Sequence, residues 1–183
     1  MRLSEHKELK TEILALPPKE KDKLLLRLVA KDKVLTEHLH FLLLEDEESL
    51  KTRVIALKEE IEYTARNLTS AKEVLVNLRK SIKLINHFLK VTKANFEDVE
   101  LRIFLLNHTE TEFKSRTFSS LKNYELLFSV FFVKSIRATL NKFEKLHEDL
   151  QFDLQEDFNK LLSKAYHKSM ATIALDLGLP KQL

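Results

Sequence analysis

A single glycine, Gly178, serves a chain of 183 residues, and two of its three prolines are adjacent at Pro17 and Pro18. Sheets joined by tight hairpins need residues at positive φ, which glycine supplies at least cost, so strand-rich folds are poorly served by this sequence. The expectation is an all-α protein. The same scarcity removes the glycine-rich loops that cradle phosphates and dinucleotides.

Hydrophobic residues make up 44% of the chain, enough to bury a core without metal or disulfide staples, and this excludes intrinsic disorder. One domain across residues 1–183 is expected from the length. There is no cysteine, so disulfides, thiolate nucleophiles and cysteine-based metal sites are ruled out, and a cytoplasmic address is expected. The first residues, MRLSEHKELKTEIL, hold no apolar run of signal-peptide length. The longest strongly apolar run, 126–133, is far short of the roughly 20 residues that span a bilayer, so no membrane contact is expected. Lys and Arg total 31 against 28 for Asp and Glu; a formal charge of +3 says little about partners until its distribution is known.

Apolar spacing divides the chain into helices. Leu9, Ile13 and Leu16 mark a first one over 5–16, which the prolines end; Pro18 then suits the first turn of a second, through residue 30. A third is expected over 34–44. Leu50, Val54, Leu57, Ile61 and Ala65 form a stripe over 49–67. Ser70 and Glu73 make a capping box for a helix over 70–91, and Asn95 to Asp98 offers a cap for the next, over 96–107. The Thr- and Ser-rich stretch 109–120 predicts a loop. A continuous pattern over 120–150 predicts one long helix with residues 126–133 in mid-core. A last helix over 158–177 is closed by Gly178, Leu179 and Pro180.

Leu35, Glu37, Leu39, Phe41, Leu43, Glu45 and Asp46 recur 111 residues later as Leu146, Glu148, Leu150, Phe152, Leu154, Glu156 and Asp157. A true duplication would suit helical-hairpin repeats of about 37 residues. The short paired helices over 16–44 resemble an armadillo or HEAT unit, which implies a stack of antiparallel helix pairs, with about seven or eight helices in all. A compact helical bundle is the alternative.

The most unusual surface lies between Arg66 and Lys93, where seven basic residues face one acid, Glu73. Lys72, Arg79, Lys83 and Lys90 are separated by seven, four and seven residues, which at about 100° per residue makes one ridge. Such a ridge suits an acidic protein surface, or phosphates through weak shape-based contact; it has no interleaved aromatics for base stacking. Alternatively it is neutralised internally by Glu148, Asp149, Asp153, Glu156 and Asp157.

Other constellations are thinner. Glu144 and His147 have the Glu-x-x-His spacing of di-iron bundles, which an ordinary solvated pair shares, and His38 and His40 point apart on a helix, so no metal or cofactor is expected. Arg102, Asn107 and His108 resemble the ribonuclease signature of the all-helical HEPN domains, and the resemblance implies RNA cleavage by that set. No other catalytic grouping is present. The expected function is therefore a non-enzymatic interaction or scaffold module using the basic ridge, with a HEPN-like ribonuclease or a weak nucleic-acid binder as the alternative.

Overall fold

Short polar side chains begin several of the helices in the computed structural model, which describes residues 5–113, 123–168 and 170–183. Asp32 accepts from the Leu35 amide at 3.1 Å, Asp46 from Ser49 at 2.9 Å and Asn123 from Leu126 at 3.0 Å. Each fills one of the donors that a first turn leaves unpaired. At Ser70 the capping box is complete: Ser70 Oγ accepts from the Glu73 amide at 3.3 Å, and Glu73 Oε2 accepts from the Ser70 amide at 3.1 Å.

The helices are α1 (Lys7–Ala15), α2 (Pro18–Val29), α3 (Lys33–Leu44), α4 (Glu47–Ala65), α5 (Ala71–Thr92), α6 (Asn95–His108), α7 (Tyr124–Phe143), α8 (Glu148–Ala165) and α9 (Met170–Asp176). No strand occurs among the described residues. Contacts group the chain into two compact units, the first ending at Glu45 and the second spanning Asp46–Leu183.

In the first unit α2 packs on α3, and α1, α2 and α3 have no buried residue. In the second unit the main contacts join helices one or two places apart in the chain. Two rows result: α4, α6 and α8 in one, α5, α7 and α9 in the other. The hairpin pairs α4/α5, α6/α7 and α8/α9 are thus laid side by side, the neighbour-only contact pattern of a helical stack. The core between the rows is filled by Phe128, Phe132, Ile136, Leu140, Phe158, Leu161 and Leu162, each 1% exposed or less.

Several boundaries differ from the sequence reading. The pattern over 120–150 is two helices. After Phe143 the chain tightens, with the Lys145 amide bonding Lys142 O and the Leu146 amide bonding Phe143 O, and His147 then caps α8 in extended conformation. Periodicity ran through the break because Leu146 still packs against the core from within the turn. The helix over 158–177 likewise divides into the end of α8 and α9. Only part of 126–133 is mid-core: Phe128, Phe132 and Val133 are buried, while Leu126 is 54% and Leu127 44% exposed. Residues 109–113 are non-helical as expected; the rest of the loop over 109–120, and a helix start at Ser120, lie outside the described residues.

Asn95 and Asp98 do not cap α6. Its N-cap is Ala94, without a side-chain bond, and Asp98 is turned inward. The 111-residue echo pairs α3 and its end with the start of α8, so the two stretches do not hold equivalent places.

Left-handed backbone is not confined to glycine here. Asn67, Lys93 and Lys168 adopt φ of 62°, 59° and 50° at helix junctions, at a cost of roughly 1–2 kcal/mol each for a residue with a Cβ. Gly178, at φ 62°, ends α9 as expected: its amide bonds Leu175 O at 2.9 Å, and the Leu179 amide bonds Ala174 O at 3.0 Å. These are the paired bonds of a Schellman terminus, and the accompanying apolar contact is supplied by Leu179, which is 5% exposed.

Candidate functional site

Helix α5 has two unlike sides because its apolar residues recur at helical period. Val74, Leu75, Leu78, Ile85, Phe88 and Val91 are buried, which turns the opposite side to solvent. Lys72, Arg79, Lys83 and Lys90 all lie exposed on that outer side. The ridge is real in three dimensions.

Its first half rests on aromatic rings supplied by another helix. Lys72 Nζ stands 5.6 Å from the centroid of Tyr124, and Arg79 Cζ stands 5.0 Å from that of Phe131, both on α7. A cation over a ring face is held by the ring's quadrupole, so the side chains are oriented while their charge remains. Sequence reasoning along one helix could not find these rings, because packing of α7 on α5 supplies them.

The carboxylates named as internal partners are placed elsewhere. Glu156 and Asp157 pair with Lys160 at 2.9 and 3.0 Å, and Asp149 lies 3.2 Å from His147. Their helix, α8, packs against α6, α7 and α9. Among the described residues, none of the four ridge cations has an ion-pair partner within 4.0 Å.

The other constellations are consumed by the fold. Arg102 is 6% exposed and donates through Nε to both oxygens of Asp98 at 3.0 Å, while Lys142 Nζ reaches Asp98 at 2.8 Å. His108, six residues further along α6, lies about 9 Å up the axis and about 120° around it. It bonds Phe104 O at 2.8 Å, and Asn107 donates to Asp157 O at 3.0 Å. Arg102, Asn107 and His108 therefore do not converge within this chain. His147, paired by spacing with Glu144, serves as the α8 cap.

A groove along the other row is lined by Lys58, Glu100, Phe104, His108, Asp157 and Lys164. Its charges are already matched: Lys58 meets Glu100 at 2.7 Å, and Lys164 Nζ donates to the carbonyls of Asn107 and Thr109, closing the C-terminal end of α6. Burial pushes the Lys164 ammonium below the ordinary lysine range, with the charge of Glu110 opposing. This lysine was not singled out from the sequence, since nothing local marks it as the cap of a helix more than fifty residues away.

No three His, Cys, Asp or Glu side chains form a metal-binding group among the described residues, and none of the helices there is long and apolar enough to cross a membrane. Fold and surface together define an all-helical protein with an exposed cationic ridge. Comparison with protein-family models, curated proteins and solved structures finds no match.

Proposed function

We propose that this chain is a non-enzymatic interaction module, of scaffold type, that engages an acidic protein surface through Lys72, Arg79, Lys83 and Lys90. The observation that carries the reading is the exposure of four aligned cations with no ion-pair partner among the described residues. Long cationic side chains left in solvent steer and orient a partner of opposite charge, and the rings beneath Lys72 and Arg79 reduce the freedom lost when they bind. The stacked helix pairs suit the role by presenting an extended outer surface. A cytoplasmic setting fits a chain without cysteine.

The test compares wild type with the variant Lys72→Glu, Arg79→Glu, Lys83→Glu, Lys90→Glu as bait in native lysate, with helicity checked by circular dichroism. Proteins held by the wild type, released by salt and lost from the folded variant are the expected result. Identical sets on both baits overturn the reading. Retention of oligonucleotide in place of protein, falling steeply toward physiological salt, assigns the ridge to nucleic acid instead.

A further inference from the structure

We infer that the acidic partner is an α-helix and that it lies in the groove between α5 and α7; this rests on the reading above and names the partner's form. The two stacked pairs, Lys72 on Tyr124 and Arg79 on Phe131, are each seven residues apart on their own helix. Helices α5 and α7 therefore run in the same direction and in step.

On α7, residues Leu127, Lys134, Ala138 and Lys145 are separated by seven, four and seven residues, the same intervals as on the α5 ridge. All four are exposed, with Lys145 in the turn just past the helix end. At about 100° per residue Leu127, Lys134 and Ala138 share one side of α7, beside the side that carries Tyr124 and Phe131, and Lys145 follows them in the turn. Two parallel ridges result, with those rings between them. Together the ridges hold six basic side chains and no carboxylate.

The α5 ridge is about 27 Å long at a rise of 1.5 Å per residue. An occupant must be straight over that length, acidic on its flanks, and able to use the apolar interruptions at Leu127 and Ala138. A helix of about five turns with carboxylates at intervals of seven, four and seven meets each demand, and interhelical grooves are the surfaces into which ridges of a third helix pack. Nucleic acid fits less well. The ring faces nearest the cations are already covered by Lys72 and Arg79, so bases have no open platform there.

The test uses the full chain and a labelled synthetic helical peptide carrying Glu at those intervals with Leu and Ala between, read by fluorescence anisotropy against a scrambled peptide of equal composition. Two variants are compared: Lys83→Glu with Lys90→Glu on α5, and Lys134→Glu with Lys145→Glu on α7. The expected result is binding to wild type, and affinity lower by about tenfold or more for the scrambled peptide and for each variant. Loss in the α5 variant with wild-type affinity in the α7 variant overturns the groove and leaves the ridge reading standing. Wild-type affinity in both variants overturns both. No binding to wild type, or no preference over the scrambled peptide, overturns the helical partner, as does stronger competition by oligothymidylate than by the unlabelled peptide. Lys134→Gln with Lys145→Gln replaces the α7 reversal should that variant lose helicity.

Discussion

Asp98 is 1% exposed, and a carboxylate so placed must be met by charge and hydrogen bonds or it neutralises. Arg102 and Lys142 meet it from two helices, and the Arg102 guanidinium is carried on to Asn86 Oδ1. The cluster ties α6 to α5 and α7. Removing one partner of such a group costs more than the group contributes, because the other charge stays buried. Asp98→Ala is expected to lower unfolding free energy by about 3 kcal/mol in urea, whereas Asp98→Leu combined with Arg102→Leu costs less than the single change. The i, i+4 spacing of Asp98 and Arg102 was present in the sequence as a pairing signal. Reading Asp98 as a cap and Arg102 as a nuclease residue missed it, because spacing along one helix does not say which side is buried.

Helix limits were legible where a side chain or ring governs them locally. Pro18 at the first turn of α2, the capping box at Ser70 and the left-handed stop at Gly178 are interactions among residues a few places apart, and all three appear in the structure. The break after Phe143 was not, since it contains neither glycine nor proline and its apolar spacing continues across the turn. There the reversal serves packing of α8 against α6, a cause lying some fifty residues away. Ser70→Ala should therefore reduce stability by about 1 kcal/mol, measured by chemical unfolding, through loss of the cap alone, and leave the interior packing of α5 unchanged.

Among the described residues, every buried apolar side chain lies beyond residue 46, from Val54 to Leu179. The unit Asp46–Leu183 thus holds its own core, and a chain beginning at Asp46 is expected to unfold in one cooperative thermal transition and to keep its helicity by circular dichroism. A broad, non-cooperative melt of that fragment would contradict this. Composition and period were enough to establish an all-helical chain, most of its helix limits and the line of Lys72, Arg79, Lys83 and Lys90, because those follow from backbone freedom and from residues within two turns of one another. The two-row arrangement, the rings of Tyr124 and Phe131 under the ridge and the inward turn of Asp98 follow from contacts between helices distant in the chain. Periodicity fixes the direction in which a side chain leaves its own helix; which neighbour it then meets depends on how the helices pack.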